Sequence, residues 1–275
     1  NTTGSSNTAI GQTALAANTT ASENTAVGMC AMLANTTGAS NVAVGFKSLD
    51  ANTTGSTNIA IGQNAALTNT TGTDNLVIGR NAYITATTAA NNTAIGNNSL
   101  ACNTSGTDNT AVGLTSMFKN TTGSSSVAVG KFSMKCNTTG DQNSALGLCS
   151  LHTNTTGTRN TALGFVALRD NTTANDNTAV GYQALKGNTT GAENVAVGKD
   201  ALLANTTGGG NTAVGLSALD SNTTADNNSA FGNGVLAANT TGTSNTGVGK
   251  NALEANTTAN NNTAVGKNAL GANTT

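Results

Sequence analysis

Asn-Thr-Thr, or Asn-Thr-Ser at Asn103, opens fifteen of sixteen successive seventeen-residue segments, and each is formally an acceptor for an N-linked sugar. Positions are numbered here from 1, the first Asn of each segment, to 17. An amide that passes hydrogen bonds to its copies in neighbouring segments is buried and cannot take a sugar, and the repeat favours that laddered role for Asn at positions 1 and 7. The one His, His152, shares position 16 with Lys135 and Arg169 and reads as a solvated surface residue. Asp170 with Asp176, and Asp220 with Asp226, are carboxylate neighbours at variable positions. They stand beside no His or phosphate loop and lack the ligand number that Ca²⁺ requires. The glycines never form G-x-x-x-x-G-K-[ST], nor G-x-G-x-x-G between a strand and a helix.

The four cysteines follow the same grid. Cys30 and Cys149 share position 13, seven segments apart; Cys102 and Cys136 share position 17, two segments apart. Stacked at strand spacing, the second pair would stand about 9.6 Å apart, beyond the roughly 7 Å between Cα atoms that a disulfide spans. Free thiols are expected, with bridges between chains open only if position 17 lies at a subunit boundary. There is no C-x-x-C metal pattern. We expect no catalytic, cofactor-binding or metal site, no cofactor, and no enzymatic activity.

Composition narrows the partners. Charged residues make up 8% of the 275 and aromatics 3%; Pro and Trp are absent, Gly numbers 33, and the net charge is −1. An ordinary soluble domain is about 25% charged. No field exists to gather nucleic acid or an anionic membrane. No apolar run approaches the length of a membrane span, and no basic-then-apolar leader is present. Because the sequence begins and ends within its motif, it reads as one continuous array, residues 1–275, cut from a longer fibre. Any anchor, tip or targeting segment would lie outside it.

The elements that position these groups follow from the consensus Asn-Thr-Thr-Gly-x-x-Asn-Thr-Ala-Val-Gly-x-x-Ala-Leu-x-Ala. Position 11 is Gly in all sixteen copies, and position 10 is always apolar. All 23 charged residues fall at positions 5, 6, 12, 13, 16 or 17, an order that a disordered chain has no reason to keep. Seventeen residues are too few for a helix pair, which needs about 33. Positions 8 to 10, such as Val-Ala-Val or Ile-Ala-Ile, are strand-like; positions 13 to 16 suggest a second short strand. Position 4 is Ala in five copies and should not need positive φ. The invariant Gly at 11 should need either positive φ or close backbone approach. The expected fold is an all-β solenoid (β-roll) of sixteen coils, each bonded to the next.

A strand's alternate side chains face opposite ways. If positions 8 and 10 fill the coil, position 9 faces out, yet it is Ala in fourteen copies, with Val77 and Gly247, and never polar. On that reading another chain presses on the Ala column, which implies a symmetric homo-oligomer, intertwined or side by side, with a trimer as the usual way to close such a fibre.

Asn24-Thr-Ala-Val-Gly28, Asn41-Val-Ala-Val-Gly45, Asn194-Val-Ala-Val-Gly198 and Asn143-Ser-Ala-Leu-Gly147 resemble the Asn-Ser-Val-Ala-Ile-Gly repeat of trimeric autotransporter adhesin heads. The longer stretch Asn177-Thr-Ala-Val-Gly-Tyr-Gln-Ala-Leu-Lys-Gly-Asn-Thr-Thr-Gly191 is similar to repeats of bacteriophage tail fibres and bacterial surface fibres. The resemblance implies a trimeric β-roll, outside the cell, on a cell surface or on a virion. Its partners would be its own copies, with a host receptor or surface glycan met through parts outside this segment. The expected function is a structural fibre shaft giving reach and attachment. The alternative is a binding module whose repeated face meets ice, through the Thr ranks at positions 2 and 3, or glycans, near Lys131, Phe132, Phe165 and Tyr182.

Overall fold

The computed structural model describes residues 1–274. Among them there is no helix. Three-residue strands recur every seventeen residues, from β1 (Thr8–Ile10) and β2 (Thr25–Val27) to β16 (Thr263–Val265). The strands pair in parallel in chain order, and like positions pair, as Thr8 with Thr25, Ala9 with Ala26 and Ile10 with Val27. This is the all-β solenoid that the repeat predicts. Its coils group into two compact units, Asn1–Gly140 and Asp141 onward. The first carries β1 to β8 (Val127–Val129) and the second β9 (Ser144–Leu146) to β16.

Each strand ends at the invariant Gly, whose φ lies between 116° and 144° throughout, a region closed to L side chains. A Cβ on Gly113 would also sit 2.6 Å from the carbonyl oxygen of Gly130 in the next coil. Both reasons for glycine therefore hold at once. Position 4 has no positive φ, as its Ala copies imply.

The second strand is not formed. Positions 13 and 15 take left-handed φ in every copy, as at Gln183 (57°) and Leu185 (51°), so the chain turns where the alternation of Ala and Leu reads as extended. Left-handed backbone costs a non-glycine residue about 1–2 kcal/mol. Two gains offset it. Burying the Leu side chain contributes roughly 2 kcal/mol. The turn also bonds to both neighbouring coils: the N–H of Leu185 donates to the carbonyl of Ala201 (2.9 Å) and that of Gln183 to the carbonyl of Phe165 (3.0 Å).

The interior is a thin layer of Ala at position 9, Ala or Ser at 14 and Leu at 15, lined by Asn at 1 and 7. The position-1 amides form one ladder. Asn52 Nδ2 donates to Asn35 Oδ1 (2.8 Å) and to the carbonyl of Gly55 within its own coil (2.9 Å). The position-7 amides form a second. The backbone N–H of Asn41 donates to Asn24 Oδ1 (2.9 Å), and Asn41 Nδ2 reaches the carbonyl of Gly55 in the next coil (2.9 Å). A buried polar group is tolerated when it is bonded, and these ladders bond the amides while fixing the spacing of the coils. In all the internal coils the Asn of the formal glycosylation motif, where present, is buried, so the folded solenoid does not offer it to a sugar transferase.

Candidate functional site

The strand faces the opposite way from the sequence reading. Ala26, Ala43, Ala94, Ala179 and Ala196 are wholly buried, and the flanking residues at 8 and 10 point outward. The Ala column is small because its own coil is thin. Position 9 packs across the interior on position 14: a Cβ built on Gly247 would lie 3.8 Å from the Cβ of Ala252. No second chain is needed to explain it, and the premise that a neighbour presses on Ala is wrong. Strand alternation allows two mirror assignments of inside and outside. The interior accepts only the smaller set.

The reversal exposes an apolar surface. Among the described residues, every large hydrophobic side chain that is exposed lies at position 8, 10 or 12, apart from Leu270. They include Ile59 and Ile61 on one strand, Leu146 (49% exposed) beside Leu148, Leu163 beside Phe165, and Phe231. Parallel pairing stacks position 10 into a rank that is apolar in every copy, whereas position 8 is Thr or Ser in eleven copies and position 12 is polar in nine, so the large apolar side chains there are interspersed. The clue in the sequence is position 12, which admits Phe46, Leu114 and Phe165 as readily as Lys131 and Lys250. A column that takes both kinds is outward, and it lies just past the strand, after the Gly at 11.

The other candidates are dispersed. Asp170 and Asp176 do not face each other: Arg169 pairs with Asp170 (2.7 Å), and Arg159 clamps Asp176 through two bonds of 2.6 and 2.8 Å. Arg159 holds the Asp176 carboxyl below its ordinary range. Burial pushes the Asp220 carboxyl up, opposed by Ser221. The thiols of Cys30, Cys102, Cys136 and Cys149 are free and half-buried, and burial pushes the Cys102 thiol up despite nearby Lys119. His152 is half-buried on its column. Among the described residues no group of three His, Cys, Asp or Glu could hold a metal ion, and no helix is long and apolar enough to cross a membrane.

The threonine ranks differ from each other. At position 2 the hydroxyl donates to the next coil's carbonyl, as Thr36 Oγ1 to Thr53 (3.0 Å), while the position-3 side chains are exposed. Only one rank presents its hydroxyls to solvent. Phe165 and Tyr182 stack with centroids 5.3 Å apart and planes 8° from parallel, and Lys199 Nζ lies 5.9 Å from the Tyr182 centroid. Phe132 lies between Lys131 (4.8 Å) and Lys135 (5.1 Å). The stack covers one face of each ring, and Lys199 lies near Tyr182.

Fold and surface define the class: a parallel β-solenoid with amide ladders inside and, outside, a strand column at position 10 that is apolar in every copy. No protein-family model matches the chain, and none is found to match among curated proteins or solved structures.

Proposed function

We propose that this chain is a section of a non-enzymatic fibre shaft, assembled from parallel copies of itself as a homotrimer and working outside the cell, on a surface or a virion. The observation that carries the reading is the confinement of exposed large apolar side chains to positions 8, 10 and 12. Contiguous apolar patches on soluble proteins mark interaction sites. Across positions 8 to 12, each coil presents roughly 70 Å² of face at ordinary strand rise and spacing. Each unit contributes eight strands of such a face toward the roughly 800 Å² per partner that a stable interface needs. Three such faces converging on one axis would bury them all. The likeness of the Asn-Thr-Ala-Val-Gly motif to adhesin heads and phage fibres supports the same reading.

The mechanical role follows from the bonding. Within each unit, neighbouring coils are joined by main-chain hydrogen bonds and, except where Ala86 and Ser126 replace Asn, by the Asn ladders, so load along the stack is shared by many bonds in parallel. The second reading, an ice-binding or glycan-binding face, has less behind it: one hydroxyl rank is committed to backbone carbonyls, and the Phe165–Tyr182 stack occurs once rather than along the repeat. Sedimentation equilibrium on the purified chain tests the proposal. A trimer that survives SDS without heating is expected; a monodisperse monomer at all accessible concentrations would remove it.

A further inference from the structure

The position-1 ladder is broken at Ala86, and the break reaches the backbone beside it. In the first unit, from Thr2 to Thr121, the Thr at position 2 donates twice to the position-2 carbonyl of the next coil. Thr70 reaches Thr87 through its N–H (2.8 Å) and its hydroxyl (2.9 Å), and Thr104 reaches Thr121 likewise (2.8 and 2.9 Å). Among the described residues of that run, Thr87 alone makes neither bond to Thr104 of the next coil. The N–H of Thr88 does not reach it either, whereas Thr71 donates to Thr87 (3.1 Å) and Ser105 to Thr121 (3.1 Å). Thr87 and Thr104 are exposed, where Thr53, Thr70 and Thr121 are half-buried. The gap is bounded on every side. Before it, the Thr85 hydroxyl donates to the carbonyls of Ala101 (3.0 Å) and Asn103 (2.7 Å). After it, the N–H of Asp108 donates to Ala90 at 3.4 Å, a longer bond than its equivalents at Asn91 (3.1 Å) and Ser125 (3.0 Å). Beneath it, Asn92 Nδ2 reaches the carbonyl of Gly106 (3.1 Å), and β6 (Thr93–Ile95) pairs residue for residue with β7 (Thr110–Val112).

We propose that this corner, Ala86–Ala89 against Asn103–Gly106, is a built-in opening point of the solenoid. The two coils part here first, hinging on the paired strands, while the neighbouring coils stay closed. The pair Tyr83 and Ala86 is its cause. The Tyr83 hydroxyl takes the carbonyl of Ala89 (3.1 Å), the bond that a position-1 amide makes elsewhere, as Asn103 Nδ2 does to Gly106 (2.9 Å). Ala86 has no amide to donate to Asn69 or to accept from Asn103, so both rungs that would hold this corner to its neighbours are gone. Two physical terms favour opening at this place. Local opening follows the path that breaks the fewest bonds, and the cross-coil bonds of Thr87 and Thr88 are already absent. Asn69 Oδ1 is buried without a partner in the closed form, and a buried orphan acceptor recovers part of its lost hydration when the structure above it parts. The proposal concerns one chain, so it stands apart from the shaft reading and holds for a single molecule or an assembly.

Hydrogen exchange on the purified chain, read residue by residue by mass spectrometry, tests it. The amides of Thr87 and Thr88 should exchange at least about tenfold faster than those of Thr70 and Thr71, and Asp108 about tenfold faster than Ser125. The second comparison isolates the opening itself, because Asp108 has a partner and exchanges only when the corner parts. Equal protection at Asp108 and Ser125 overturns the proposal. Tyr83→Leu with Ala86→Asn rebuilds the consensus and should slow Thr87, Thr88 and Asp108 to the rates of their equivalents. Fast exchange that persists in this variant overturns the assignment of the seam to that pair. In the other direction, Leu49→Tyr with Asn52→Ala should carry the seam to another coil and speed exchange at Thr53 and at Asp74, whose N–H donates to Ser56 (3.2 Å) in the parent chain. Full protection at both sites in a folded variant counts against the proposal.

Discussion

Tyr83 and Ala86 depart from the repeat together because each makes room for the other's consequence. Ala86 removes an amide from the position-1 ladder and leaves Asn69 Oδ1 buried without a partner. Tyr83, wholly buried where the other coils have Leu or Met (Ala66 apart), donates its hydroxyl to the carbonyl of Ala89 (3.1 Å) and accepts from Asn92 Nδ2 (2.8 Å). The carbonyl of Ala89 is the group that an Asn at 86 would have served. Tyr83→Leu alone should cost about 2–3 kcal/mol in urea unfolding, and adding Ala86→Asn should recover most of it. Simple additivity of the two changes would refute the coupling. Gly247 and Val235 form a second such pair, since a Cβ at 247 would lie 2.4 Å from Val235 Cγ1. Gly247→Ala should lose about 1–3 kcal/mol from overpacking, and Val235→Ala in the same chain should abolish the loss; a persistent deficit would mean some other cause. The sequence displays most of these exceptions singly. It does not display the pairing, because partners in adjacent coils are neighbours only once the coil is closed.

At the scale of the coil, the turn through positions 13 to 17 contains what the sequence concealed. Its Ala-Leu alternation imitates a strand, while left-handed φ at 13 and 15 folds it back over the core. The same turn carries Asp220 at position 16, half-buried, its carboxyl raised by burial. A carboxyl whose folded pKa lies above its unfolded one holds its proton more tightly in the native state. Its contribution is therefore most favourable below the unfolded pKa and is lost as pH rises through the folded one. Asp220→Asn should raise the melting temperature at neutral pH, with the gap closing in acid below the ordinary carboxylate range. An unchanged gap across that range would show that charge is not the cause. Asp176 behaves oppositely: its carboxyl is lowered by Arg159, so its contribution is present above the unfolded pKa and fades as pH falls through the folded one.

For the whole molecule, inward and outward positions on one strand have separable roles. In β11 (Thr178–Val180), Ala179 is buried in the coil and Val180 is part of the outer face. Ala179→Lys should abolish the β-type circular dichroism spectrum. Val180→Lys should leave the spectrum intact and reduce assembly, as read by sedimentation. Gln183→Lys should change neither, since its column already accepts Lys47. Loss of structure in Val180→Lys, or native folding of Ala179→Lys, would reverse the assignment of the two faces.

Sequence alone determined the period, the in-register stacking of like residues, the glycine at every strand end and the confinement of charge to outward columns. These are local requirements, repeated sixteen times, and repetition makes them legible. Which side of the strand faces the core was decided only in three dimensions. Alternation gives two equally good answers, and what chooses between them is the width of the coil: it closes over alanine and leaves the larger aliphatic side chains outside.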